Sequence, residues 1–188
     1  MFQVNKQSKA TYEVKKSIFT SYLLPFSAFK HSLKKLQIEH TKANHIVWAY
    51  RYLNEFDQIV ENSSDDGEPK GCAGNPTLSH LRGENLINTA LITVRYFGGI
   101  KLGTGGMVRA YSSAAKEVIN ISKLEKYIKK SKYTIKTPYS VLKRYEHFFT
   151  QEKIDFSNRI FEATQVIWHL NISQDEVDKL ENFQKSIL

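Results

Sequence analysis

Residues 86–111 read LINTALITVRYFGGIKLGTGGMVRAY, and this stretch decides the fold class. From Leu86 to Phe97 it is apolar enough for a strand at the centre of a sheet. Gly98 to Gly106 reads as a tight glycine-rich loop. Beyond it Met107, Val108, Ala110, Tyr111, Ala114, Ala115, Val118 and Ile119 recur at helical spacing, over a face wide enough to be buried. Upstream, Thr11 to Leu24 reads as one extended stretch that Pro25 stops. Ser27 is placed to cap a helix running to about Lys42, with Phe29, Leu33 and Leu36 on one face and Lys30, Lys34 and Lys35 on another. His45 to Tyr52 (HIVWAYRY) is β-branched and aromatic, hence a strand, with Phe56 to Val60 as a hairpin partner. Ser63 to Pro76 (SSDDGEPKGCAGNP) is turn chemistry almost throughout, and Thr77 to Leu81 reads as a short helix.

Downstream of Lys130 the pattern becomes a smaller α+β unit. Tyr133 to Lys136 is a strand, and a helix from about Tyr139 carries Val141, Leu142, Tyr145, Phe148 and Phe149. Strands follow around Ile154 to Phe161 and Thr164 to Asn171. Ser173 caps a last helix bearing Val177, Leu180 and Phe183. The order β-α-β-β-α is that of a split βαβ, ferredoxin-like unit without its final strand. The expected organisation is two domains, 1–127 and 128–188.

Composition narrows the class. The chain has 188 residues, of which 41% are hydrophobic and 24% charged, as in ordinary globular proteins. It holds no run of 18 apolar residues and no apolar signal at Met1 to Lys6, so no membrane span or secretory leader is expected. A lone cysteine, Cys72, excludes an internal disulfide and fits a reducing cytosol. A cytoplasmic protein is the expectation.

Two residue types are distributed unevenly. Met1 to Lys130 holds 19 basic and 11 acidic residues, whereas Ser131 to Leu188 holds 8 of each. The net charge of +8 therefore sits entirely on the first two thirds, a field that favours phosphate-bearing partners. All 9 glycines fall between Gly67 and Gly106, so the unusual backbone shapes share one window.

Within that window the loop before the long helix is the first candidate site. Glycines let backbone N–H groups converge, and a helix N-terminus adds partial positive charge. Arg95, Lys101 and Arg109 lie close by, beside Gly103, Thr104, Gly105 and Gly106. Neither the nucleotide P-loop nor the dinucleotide fingerprint is met, since Thr104-Gly105 stands where Lys-Ser/Thr is required and Val108 where a third glycine is required. An anion-binding loop of another kind and a purely structural turn both remain open. The acidic loop is the second candidate: Asp65, Asp66 and Glu68 supply three oxygen donors suited to Mg²⁺, or else they cap turns or pair with the cationic loop. His45, Trp48 and Tyr50 offer either core packing or an aromatic stacking surface. Cys72 lacks any hydrolase signature, and no zinc-ligand spacing occurs. No catalytic residue is assigned.

Three blocks together resemble the IMPACT/YigZ family. They are His45-x-x-Trp48-Ala49-Tyr50-Arg51; Ser64-Asp65-Asp66-Gly67-Glu68-Pro69-x-Gly71-x-Ala73-Gly74-x-Pro76; and Val94-Arg95-Tyr96-Phe97-Gly98-Gly99-x-Lys101-Leu102-Gly103-x-Gly105-Gly106-x-Val108-Arg109-Ala110-Tyr111. The resemblance covers about residues 10–120. Family members often carry Thr or Ser where this chain has Cys72. The resemblance implies a two-layer α+β N-terminal domain of the ribosomal-protein and GHMP-kinase kind. It also implies a C-terminal ferredoxin-like domain similar to one in elongation factor G. It further implies a translation-linked, nucleic-acid-binding role, and with the charge and glycine distribution the leading expectation is a non-enzymatic regulator whose basic, glycine-rich face binds RNA or the ribosome. Two other functions fit the residues. One is a protein or enzyme that binds a nucleotide or phosphometabolite with the glycine loop and Mg²⁺ on the acidic loop. The other is a protein-interaction module.

Overall fold

The computed structural model describes residues 1–187. Contacts divide the chain into two compact units, Met1–Tyr127 and the remainder from Ile128 onward.

The first unit is built on β6 (Thr89–Tyr96), which pairs antiparallel with β3 (Ser17–Pro25) on one side and β4 (His45–Leu53) on the other. β2 (Ser8–Val14) and β5 (Ile59–Ser64) complete the five-stranded order β2-β3-β6-β4-β5. An antiparallel strand usually alternates apolar and polar residues because one face meets water. β6 does not, because both of its faces are covered. Against one face lie α2 (Gly74–Gly83) and α3 (Gly103–Asn120), burying Leu23, Ala49 and Leu91 among Leu78, Leu81, Ala115 and Val118. Against the other lies α1 (Phe29–Glu39), burying Ile46, Ala90, Ile92 and Val94 with Phe29 and Leu36. The sheet with α2 and α3 makes the two-layer packing, and α1 adds a partial third layer. Ser21 and Thr93, both fully buried between β3 and β6, bond each other at 2.8 Å, so no hydroxyl is orphaned there. The two-residue strands β1 (Phe2–Gln3) and β7 (Glu125–Lys126) pair the beginning and end of this unit.

Several boundaries differ from the sequence reading, each for a local reason. The single extended stretch from Thr11 is a β2–β3 hairpin whose turn residues Lys15 and Lys16 take positive φ of 47° and 63°. Ser27 does not cap α1. It lies in a short 3₁₀ turn, Phe26–Ala28, and Ala28 precedes the helix without a side-chain cap. The turn-rich segment from Ser63 is shorter than it reads, because β5 extends to Ser64 and α2 starts at Gly74. The glycine-rich loop is also shorter: Gly103 to Gly106 form the first turn of α3. Glycine's poor helix propensity hides a helix start where most N–H groups are unpaired in any case.

The second unit has the order β8 (Ser131–Pro138), α4 (Leu142–Gln151), β9 (Arg159–Phe161), β10 (Gln165–Ile172) and α5 (Gln174–Ile187). The strands form an antiparallel sheet in the order β8-β10-β9, the ferredoxin-like arrangement with β8 at one edge among the described residues. Its core is aromatic, with Trp168 and Phe149 fully buried and Trp168 Nε1 donating to Thr137 Oγ1 at 2.8 Å. Ser173 and Glu176 cap α5 reciprocally: Ser173 N–H donates to Glu176 at 2.7 Å and Glu176 N–H to Ser173 Oγ at 3.3 Å.

Candidate functional site

Strand register places the first functional side chains. His45 on β4 and Phe19 on β3 both lie directly opposite Arg95 on β6. Directly opposed residues share a face, so His45, Arg95 and Phe19 form one row beneath the first turns of α3. The Arg95 guanidinium lies 5.4 Å from the Phe19 ring centroid, and Phe19 meets Tyr111 of α3 edge-on at 5.1 Å.

Glu68 enters this row from the acidic loop. Its buried carboxylate accepts Arg95 Nη1 at 2.5 Å and the Tyr111 hydroxyl at 2.8 Å through Oε1, while Oε2 faces His45 Nε2 at 3.7 Å. Burial, and then the Glu68 charge, push the Tyr111 phenol far above its ordinary value, so it stays protonated and donates. Arg95 is only 5% exposed and its Nε has no acceptor among the described residues. The two loops that the sequence leaves separate are therefore joined by a buried Glu68–Arg95 pair. Arg95 thus lies buried at the base of the loops, paired with Glu68, rather than on the open surface.

The other acidic residues serve the loop's own shape. Asp65 accepts backbone N–H groups of Gly71 at 2.8 Å, Gly74 at 2.8 Å and Ala73 at 3.1 Å. Burial disfavours its charge, but those three bonds outweigh it and hold the carboxyl below its ordinary value. Asp66 accepts the Ile46 N–H at 2.6 Å, and its carbonyl oxygen bonds His45 Nδ1 at 2.7 Å. Asp65, Asp66 and Glu68 thus have three different sets of partners. Among the described residues no group of three or more His, Cys, Asp or Glu is placed to hold a metal ion, so the Mg²⁺ arrangement is not formed.

The aromatic trio is also divided. Trp48 and Tyr50 point to the α1 face, where they stack on each other at 5.6 Å and meet Phe29 at 5.3 and 5.2 Å. His45 alone belongs to the site.

α3 supplies the centre of the site. Its preceding residue, Leu102, makes no side-chain cap, and its first turn contains no acidic residue. The first N–H groups of a helix have no partner inside it, so Gly103, Thr104, Gly105 and Gly106 present donors and partial positive charge together. Two clefts flank this turn. One, of about 370 Å³, is lined by Asn44, His45, Arg95, Phe97, Lys101 and Thr104, among others. The other, of about 230 Å³, includes Lys15, Leu102, Gly106 and Arg109. Lys101 and Arg109 therefore lie on opposite sides of the helix end.

Lys15 and Lys16 escape the sequence reading. Their hairpin turn is seated against Gly98, where a Cβ would come within 2.0 Å of the Lys16 carbonyl carbon. The Gly98 N–H donates to Ser17 Oγ at 3.1 Å, and the Phe97 N–H to Asn44 Oδ1 at 2.8 Å. The signal in the sequence is the Lys15-Lys16 pair that interrupts an otherwise alternating stretch. Among the described residues Lys15, Lys16, Lys101 and Arg109 make no ion pair, and all four are exposed. Arg51 and Arg82, in contrast, both hold Glu61, and Arg51 also donates to the carbonyls of Leu81 and Leu86. Lys15, Lys16, Lys101 and Arg109 thus lie around one helix end.

The fold and site define a class: a two-unit α+β protein with an uncapped helix N-terminus, a buried ion pair beneath it and a rim of unpaired cations. The chain belongs to the IMPACT family. The Impact N-terminal domain profile matches residues 15–119. An IMPACT family member from Haemophilus influenzae is 32% identical over 154 residues, covering 80% of this chain and 75% of the relative. The IMPACT family member YigZ from Escherichia coli is 33% identical over 135 residues, covering 69% and 65%. A crystal structure of a hypothetical protein superposes with a TM-score of 0.71 at 28% identity, covering 99% of this chain and 90% of that one. No helix among the described residues is long and apolar enough to cross a membrane.

Proposed function

We propose that the protein binds RNA, free or within the ribosome, through the N-terminal end of α3 and the cations around it. The observation that carries this reading is the uncapped, acid-free first turn of an 18-residue helix, ringed by Lys15, Lys16, Lys101 and Arg109 without ion pairs. A polyanion is the partner such a surface attracts, because phosphates gain from both the helix end and the mobile charges. Arg51, Arg82 and Arg95 are held by internal carboxylates, which leaves Arg109 as the arginine of this unit free to meet a phosphate among the described residues. The translation-linked regulatory role implied by the family resemblance would act through this contact.

Arg95 is unsuitable as a probe of binding, because removing it leaves the buried Glu68 carboxylate without its arginine partner, at a cost of about 3–5 kcal/mol. The test is RNA affinity of the quadruple variant Lys15→Ala, Lys16→Ala, Lys101→Ala, Arg109→Ala, all at exposed positions. The folded variant should lose most of its RNA affinity at low salt. Undiminished binding would remove this face from consideration.

A further inference from the structure

The two clefts beside the α3 end differ in kind. The one containing Lys15 and Arg109 is lined by those exposed cations with Tyr12, Val14 and Leu102, and no buried charged side chain lines it. The one containing Lys101 has a built floor. There Arg95, 95% buried by its 5% exposure, is held through Nη1 by Glu68, with Tyr111 donating to the same carboxylate oxygen. Its Nη1 also donates to Met107 Sδ at 3.1 Å and its buried Nε carries no acceptor among the described residues, so the guanidinium is a fixed cationic floor to the cleft it lines. Around that floor stand Thr104 and Gly103 of the helix's first turn, exposed Lys101, and His45, whose ring is fixed by the Asp66 carbonyl at 2.7 Å. Phe97 is 44% exposed at the rim, and the Arg95 guanidinium lies 5.8 Å from its ring centroid.

We propose that this cleft is a subsite for a terminal phosphate monoester of a nucleotide, with the attached sugar or base against Phe97. The inference rests on the anion-binding reading of the same helix end and goes further by naming the phosphate it selects. A monoester brings three terminal oxygens and close to two charges, enough to accept from the helix N–H groups and Lys101 at once. An internal phosphodiester brings one charge and two free oxygens, and its chain must leave in both directions. A cleft of about 370 Å³ lies at the small end of ligand sites, the size for one nucleotide rather than a strand. The exposed Phe97 ring supplies the stacking surface that a base or ribose needs. The chemistry is shared by a free mononucleotide and by the phosphorylated end of an RNA, and the experiment separates the two sources.

The test uses the full chain and one single-stranded oligoribonucleotide sequence in two forms, 5′-phosphorylated and 5′-hydroxyl, with adenosine monophosphate and adenosine beside them. The phosphorylated RNA should bind at least about tenfold more tightly than the hydroxyl form, the gain expected from one charged hydrogen-bonding group. Lys101→Ala should bring that ratio close to one. Lys15→Ala with Lys16→Ala should weaken both RNAs together and preserve the ratio. Adenosine monophosphate, but not adenosine, should raise the melting temperature. If both RNAs bind equally in the wild-type protein and the monophosphate gives no shift, the subsite is refuted while the RNA-binding reading stands. If neither RNA binds but the monophosphate stabilises the protein in a Lys101-dependent way, the subsite stands for a free nucleotide and the RNA-binding reading fails.

Discussion

Gly98 shows how one residue sets the site's geometry. A methyl group there would lie 2.0 Å from the Lys16 carbonyl carbon and 2.1 Å from its oxygen, which are backbone atoms that cannot rotate away. Gly98→Ala is therefore expected to lower stability by about 1–3 kcal/mol, as overpacking does, and to displace the Lys15 and Lys16 turn. Urea unfolding checks it, and an unchanged midpoint would contradict it. Asp65 acts at the same scale. Its folded-state carboxyl lies below the ordinary value, so the stability it supplies is complete above that ordinary value and is lost as pH falls through the folded one. Asp65→Asn should be clearly less stable than wild type at neutral pH, and the gap should narrow as pH falls below about 3.9. A gap that stayed constant with pH would mean that charge is irrelevant to the loop.

At the scale of elements, the first turn of α3 contains opposed demands. An acid there would complement the helix dipole and stabilise the fold by about 0.3–1 kcal/mol, yet the turn contains none. Thr104→Glu is expected to raise the melting temperature slightly while weakening RNA binding. Thermal scans and binding isotherms on the same preparation check both signs, and a variant that gains stability without losing affinity would contradict the placement of the site. Elements with sustained apolar patterns were legible in the sequence: the central strand from Leu86 to Phe97, the helix from Met107 to Ile119 and the Ser173-capped last helix. The site was legible only in part. Arg95, Lys101 and Glu68 stand out as charges near glycines, but whether they touch depends on strand register, which sets His45 and Phe19 against Arg95. Strand alternation separates Trp48 and Tyr50 from His45 by parity, but which face α1 covers and which faces the α3 end is set by tertiary packing. The Lys15-Lys16 turn was hidden because both residues adopt positive φ without a glycine to announce it.

For the molecule as a whole, charge and packing are partitioned alike. The three hydrophobic clusters of the first unit contain no residue beyond Leu124, and the cluster of the second contains none before Tyr133. The β1–β7 pairing also ties the two ends of the first unit together. A fragment ending at Tyr127 is expected to fold cooperatively and to keep most of the RNA affinity, by circular dichroism and by the same binding assay. A fragment that folds but does not bind would assign the contact to the second unit. The central claim, that phosphates meet the α3 end, is tested most directly by the salt dependence of RNA affinity for wild type and for Lys15→Ala, Lys101→Ala and Arg109→Ala. Each of these single variants should reduce the slope of log affinity against log salt by about 0.7–1. Slopes identical to wild type in all three would show that RNA, if bound at all, is held elsewhere.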